Sequence, residues 1–318
     1  MNINLTESQQ RTIERIKRMM QGPLLENFED PKTVELMVNP NGDFYVEKLG
    51  EPMRFVCKVE PSKILDIIFC VSGFHEQVVK KDEPICEGEF PLDGSRFEAT
   101  IPPIVGGPSF SLRKKAIAIF TLDDYVKSGI MQIEQAEVIK KAVADHKNIL
   151  VVGGTGSGKT TLLNAIIDQM VKNNEQERVV IIEDTGELQC AAKNNVQLRA
   201  TADASMTRLV KVSLRYRPDR ILVGEVRGAE ALDLLDAWNT GHPGGLATLH
   251  ANSAVAGLTR LRSLVTRNEA APKDIDSLIA ECVDYVVNIV RHNKSRIIKD
   301  IINVTDYVNG QYVFSKVA

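Results

Sequence analysis

The chain has 318 residues, long enough for two domains of ordinary size, and its 43% hydrophobic and 25% charged residues are globular proportions. A net charge of −3 and 5% aromatic residues exclude an overall basic, base-stacking footprint, so no direct sequence-specific nucleic-acid binding is expected. No run of 18 apolar residues occurs, and five scattered cysteines (Cys57, Cys70, Cys86, Cys190, Cys282) form no C-x-x-C pair, which argues against a membrane-spanning helix, a disulfide frame or a zinc site.

The chain begins Met1-Asn2-Ile3-Asn4 without the basic start and apolar core of a signal peptide, so a cytoplasmic protein is expected. Thr6-x-x-Gln9 has the form of a capping box, and Arg11, Arg15, Lys17 and Arg18 alternate with Ile13, Ile16 and Met19. The spacing predicts a basic amphipathic helix, packed on its own domain or contacting an anionic membrane surface or partner. Leu36 to Val38 and Phe44 to Val46, separated by Asn39-Pro40-Asn41-Gly42-Asp43, read as strand, tight turn, strand. A helix is expected from Ser62 to Phe74, then strands at Phe97–Ile101 and Phe110–Leu112 around a Pro/Gly-rich connection. Residues 1–120 are thus a small α+β domain. His75-Glu76 lacks the second histidine of a metalloprotease helix, since Val79 stands there.

Residues 121–129, with two aspartates, Ser128 and Gly129, read as a linker, and 130–318 as the second domain. There Ala136, Ile139, Ala142 and Val143 mark a helix before the apolar run Ile149–Val152. Strands at 179–182, 221–223 and 246–249 then alternate with helical segments. Such alternation predicts an α/β domain with a mostly parallel sheet.

The most specific motif is Gly153-Gly154-Thr155-Gly156-Ser157-Gly158-Lys159-Thr160, a complete G-x-x-x-x-G-K-[ST] phosphate loop. It lies between a strand and an amphipathic helix carrying Leu162, Leu163, Ile166, Ile167 and Met170. The glycines let backbone N–H groups face a polyanion, and the helix N-terminus, through Thr160 and Thr161, adds partial positive charge. Lys159 is expected on the β- and γ-phosphates of ATP, and the Thr160 hydroxyl on Mg²⁺.

Two strands end in acid, Ile182-Glu183-Asp184 and Val223-Gly224-Glu225. Catalytic groups of parallel sheets gather at such ends, so Glu183 and Glu225 are both candidates for aligning or deprotonating water, or for holding Mg²⁺ through water. Of Arg215, Arg217, Arg220 and Arg227, one or two are expected to stabilise transition-state charge while the others form structural pairs. His242 and His250 are candidate γ-phosphate sensors.

In order, these boxes resemble the secretion traffic ATPases, the ring motors of type II and type IV secretion and of conjugation, and are most similar to Trb-type conjugal-transfer ATPases. The matching segments are the phosphate loop, Ile182 to Leu188, Leu214-Arg215-x-x-Pro218-Asp219-Arg220-Ile221 through Glu225-x-Arg227-x-x-Glu230, and the histidine box ending His250-Ala251. Upstream, Asn39-Pro40-Asn41-Gly42, Gly94-Ser95-Arg96, Ile101-Pro102-Pro103 and Ser111-Leu112-Arg113-Lys114 resemble the family's N-terminal domain, with Lys115 departing where proline is common. The resemblance implies a RecA-like motor domain, ATP and Mg²⁺, and catalytic roles for Glu183, Glu225, Arg113, Arg227 and His250, with Arg96 and Arg113 reaching the phosphates. It also implies a homo-hexamer at the cytoplasmic face of the inner membrane, hinge motion about 121–129, and partners in a secretion or conjugation channel.

Two other readings compete. A RecA-like nucleic-acid motor shares the core fold but calls for the basic and aromatic surface this composition lacks. A non-motor nucleotide switch of the guanine type calls for N-K-x-D, where Asn293-Lys294-Ser295-Arg296 ends in arginine. The last sixty residues carry no assigned motif.

Overall fold

A computed structural model describes residues 5–114, 120–201, 203–293 and 295–317. The readings that fall on Met1–Asn4, Lys115 and Lys294 lie outside the described residues. The chain divides into two compact units, 1–117 and 118–318.

In the first unit a six-stranded antiparallel sheet has the order β3-β2-β1-β6-β5-β4. Its strands are β1 (Thr33–Val38), β2 (Asp43–Lys48), β3 (Arg54–Lys58), β4 (Ile85–Glu89), β5 (Arg96–Thr100) and β6 (Ser109–Arg113). The β1–β2 turn needs glycine: Gly42 has φ +83°, and a Cβ there would lie 2.5 Å from the Val59 carbonyl oxygen. Three helices accompany the sheet: α1 (Glu7–Met20), α2 (Pro23–Glu29) and α3 (Pro61–Phe74). The Thr6–Gln9 capping box starts α1. That helix buries Ile16 and Met20 against α3 and leaves Arg11, Arg15, Lys17 and Arg18 exposed. Phe44, Phe90, Phe97, Ile64 and Ile67 belong to one buried cluster, whose apolar area supplies the unit's main stabilisation.

The second unit carries an eight-stranded sheet of order β14-β13-β12-β7-β11-β10-β8-β9. Its parallel strands are β7 (Ile149–Gly153), β8 (Val179–Glu183), β9 (Asn195–Arg199), β10 (Arg220–Val223), β11 (Leu246–His250) and β12 (Tyr285–His292). β13 (Ser295–Val308) and β14 (Gln311–Lys316) join as an antiparallel extension. Strands β7, β8 and β10 are buried throughout, as expected of parallel strands covered on both faces. The covering elements are α4 (Leu122–Lys127), α5 (Ile133–Ala144), α6 (Lys159–Asn173), α7 (Met206–Ser213), α8 (Glu230–Asn239), α9 (Ala254–Val265) and α10 (Ile275–Cys282). Among the described residues no helix is long and apolar enough to cross a membrane.

The span 121–129, expected as a linker, carries a helix: Thr121 and Asp124 form a capping box that starts α4. Leu122 and Tyr125 are then buried in the same core as β7 and α6. The two aspartates that looked like loop composition are first-turn acids of a helix, where the macrodipole favours them.

Candidate nucleotide site

The site grows out of the end of β7. Gly156 and Gly158 take φ of +64° and +96°, which side chains rarely adopt without strain, and Gly158 caps α6. A Cβ on Gly153 would lie 2.3 Å from the Ile289 carbonyl oxygen and 2.4 Å from Ser157 Oγ, so only glycine fits there. Gly154 and Thr155 are exposed at the mouth, Ser157 is buried, and Thr160 and Thr161 are half-buried in the first turn of α6. This is the geometry of an anion cradle at a helix N-terminus.

Lys159 is buried, and its Nζ donates to the Gly154 carbonyl at 3.1 Å. It also lies 3.3 Å from His250 Nδ1. That contact follows from register, because β11 pairs in parallel with β7 and sets His250 opposite Gly153. His250 Nε2 in turn lies 2.9 Å from Glu225 Oε1. With Nε2–H donating to the carboxylate, Nδ1 is left to accept from the ammonium. Burial, and then the Lys159 charge, hold the His250 pKa below its ordinary value.

Past β10 the chain of contacts continues. Arg227 Nη2 donates to Glu225 Oε2 at 2.6 Å, and Nη1 donates to Asp184 Oδ2. Glu230, at the start of α8, accepts from the backbone N–H groups of Arg227 and Gly228, both at 2.7 Å, which fixes the turn carrying the arginine. Lys159, His250, Glu225, Arg227 and Asp184 thus run across the carboxyl ends of β7, β11, β10 and β8.

Glu183 sits differently. It is 3% exposed, and its Oε1 accepts from the backbone N–H groups of Leu188 (2.8 Å) and Glu187 (3.0 Å). Burial pushes its pKa up to about 7 against the pull of those two donors. Its carboxylate holds the acidic-box loop, whereas the Glu225 carboxylate meets His250, which in turn meets Lys159.

Other predicted groups lie elsewhere. His242 precedes β11, at the end of the strand remote from His250, with Nδ1 3.3 Å from the Ala237 carbonyl oxygen. Periodicity could not separate the two histidines, because both flank the same strand. Arg215, Arg217 and Arg220 all precede or open β10; Arg220 is buried and paired with Glu177 at 2.5 Å, a structural role. Arg96 and Arg113 belong to the first unit, where the strand register sets Glu35, Arg113, Arg96 and Glu89 in a row across four strands. Sequence reasoning missed Asp184 as the second partner of Arg227. It also missed Arg291, whose Nε donates to the Gly156 carbonyl at 3.0 Å. The available signal was the basic content of Arg291-His292-Asn293-Lys294-Ser295-Arg296.

A phosphate loop, a histidine between its lysine and a carboxylate, and an arginine on that carboxylate, all on adjoining parallel strands, define a P-loop ATPase. The family model described as "Type II/IV secretion system protein" matches residues 30–311, and the chain belongs to that family. It is 42% identical over 305 residues to the probable conjugal transfer protein TrbB of Sinorhizobium fredii, covering 96% of this chain and 93% of that protein. It is 28% identical over 316 residues to protein VirB11 of Agrobacterium fabrum, covering 86% and 90%. The crystal structure of the VirB11 ATPase from the Brucella suis type IV secretion system aligns with a TM-score of 0.50 at 25% identity, over 94% of this chain and 97% of that one. The chain is a secretion ATPase.

Proposed function

We propose that this chain hydrolyses ATP as the motor subunit of a conjugal-transfer or related type IV secretion machine. It would work as a homo-hexamer at the cytoplasmic face of the inner membrane, with membrane-channel components as partners. The observation that carries this reading is the run from Lys159 through His250 and Glu225 to Arg227 at the phosphate loop. Its relatives' names, conjugal transfer and secretion, supply the setting.

In this reading Lys159 leaves the Gly154 carbonyl for the β- and γ-phosphates, and the loop from Gly153 to Thr161 cradles the polyanion. Glu225 aligns or deprotonates the attacking water. His250 relays the state of the γ-phosphate from Lys159 to Glu225, and Arg227 neutralises charge developing at the carboxyl end of β10. Glu183 supports the adjoining loop. Arg96 and Arg113 are further phosphate ligands, a role resting on the motif resemblance and on their side-by-side placement in β5 and β6. The donor set suits Mg²⁺ held partly by substrate and water: among the described residues no three His, Cys, Asp or Glu side chains cluster as a metal cage. Thr160 would hold the ion directly and Glu225 through water, and when bound it neutralises phosphate charge.

Steady-state hydrolysis per subunit, measured against protein concentration with the mass followed in parallel, tests the ring. Specific activity should climb as subunits associate. A flat activity in a demonstrated monomer would rule out the ring motor and favour a nucleotide switch.

A further inference from the structure

The residues placed in catalysis leave the C-terminal hairpin unused, yet three loop glycines face it. β12 runs beside β7 with Asn288 opposite Val152, so residues 289–292 continue along the phosphate loop itself. β13 returns with Arg296 opposite Arg291. A Cβ on Gly153 would lie 2.3 Å from the Ile289 carbonyl oxygen, and one on Gly156 would lie 2.5 Å from Arg291 Nη2. A Cβ on Gly158 would lie 3.1 Å from Arg296 Cδ and 3.2 Å from its Nε. Both side chains therefore press on the loop.

Their electrostatics are incomplete. Among the described residues neither arginine forms an ion pair, and the Arg296 Nε is buried with no hydrogen-bond partner. Like charges opposite each other on neighbouring strands repel, and a buried donor without an acceptor is destabilising. An anion or acceptor brought to the loop relieves both.

Strand order gives the direction. In β12-β7-β11 the Lys159–His250–Glu225 run lies on the β11 flank and the arginines on the β12 flank. A triphosphate with its γ-phosphate toward Glu225 extends its α-phosphate and nucleoside toward the hairpin. We propose that Arg296 binds the nucleoside end of the substrate, its α-phosphate and base face, while Arg291 is a positioning residue that sets the loop through the Gly156 carbonyl. A planar guanidinium suits this task, since it forks onto phosphate and stacks on aromatic rings. The inference rests on the ATP-hydrolysis reading above.

The test compares binding of ATP, ADP and inorganic tripolyphosphate, together with kcat and KM, in the full-length chain. Arg296→Ala should weaken ATP and ADP by about tenfold, the scale of one lost charge-assisted hydrogen bond, and weaken tripolyphosphate, which offers a phosphate but no base, by less. Arg296→Lys keeps the stem over Gly158 and the charge but not the fork, and should recover only part of the loss; it also serves if the alanine variant fails to fold. Arg291→Ala should raise KM for ATP and weaken tripolyphosphate alike, with kcat nearly constant. Unchanged ATP affinity in Arg296→Ala, equal loss for ATP and tripolyphosphate, or full recovery by lysine overturns the proposal. Lys159→Ala keeps the two readings apart. If that variant still binds and turns over ATP, the nucleotide reading itself fails; if it is dead while Arg296→Ala is normal, only this inference falls.

Discussion

Two Arg–Glu–His contacts lie at opposite ends of one sheet. At the carboxyl ends of the strands, Arg227 and His250 hold the two oxygens of Glu225 at 2.6 and 2.9 Å. At the amino ends, Arg220 and His146 hold the two oxygens of Glu177 at 2.5 and 2.9 Å. Residue types and distances are nearly the same, but the surroundings are not. Arg220 is 1% exposed and also donates to the carbonyls of Val143 and Gly244, so its charge is enclosed and shared among protein acceptors. The Arg227 side chain is 49% exposed, and its partner carboxylate adjoins a histidine that touches the phosphate-loop lysine. A buried, saturated network specifies structure; a half-open one beside an anion cradle is available for chemistry.

Removing each central carboxylate should separate the two kinds of site. Glu225→Gln is expected to retain ATP and to slow turnover by about 10²–10⁴-fold, the usual contribution of a positioned acid–base group, with little change in stability. Single-turnover hydrolysis measures this, and a loss within about twofold would remove Glu225 from the chemistry. Glu177→Gln should do the reverse. Leaving Arg220 buried and unpaired is expected to cost about 3–5 kcal/mol in chemical denaturation, while activity per folded molecule stays nearly constant.

Glu183 stands between these cases, and pH exposes it. Its folded pKa of about 7 lies above the ordinary 4.5, so the native state keeps this proton where the unfolded chain has lost it. The stability it contributes is full below pH 4.5 and is lost as pH rises through about 7. Relative to Glu183→Gln, whose amide oxygen can still accept from Leu188 and Glu187, the wild type should lose up to about 3 kcal/mol across that window. Denaturation midpoints of the two proteins that shift in parallel from pH 4.5 to 8 would show that the carboxyl is not held this way.

Much of the second unit was legible because its chemistry is local. The apolar runs of β7, β8, β10 and β11 and the eight-residue phosphate loop each declare themselves within one short window. What escaped was either masked or distant. β9, Asn195–Arg199, is half-buried along its whole length and carries no apolar run. Helix α4 was hidden by acids that are favourable at its start, although Leu122 and Tyr125 have the three-residue spacing of one buried face. The Arg291 contact with Gly156 spans 135 positions and depends on β12 pairing with β7, which no local pattern encodes.

The smallest predicted effect concerns the other histidine. His242 follows Gly241 and His250 ends the same strand, so both have the small or polar neighbours that suggest a sensor. The turn leading into β11 places His242 before the strand, where its ring meets the Ala237 carbonyl, while parallel pairing carries His250 to Gly153. A five-residue strand separates the two by roughly 15 Å or more along its axis. His242→Ala should therefore leave kcat and KM for ATP within about twofold of wild type, whereas the same change at His250 breaks the run from Lys159 to Glu225 and belongs with the Glu225 class. Equal losses at the two histidines would mean that the amino-terminal end of β11 also communicates with the phosphates, and the division of the sheet into a structural and a chemical edge would fail with it.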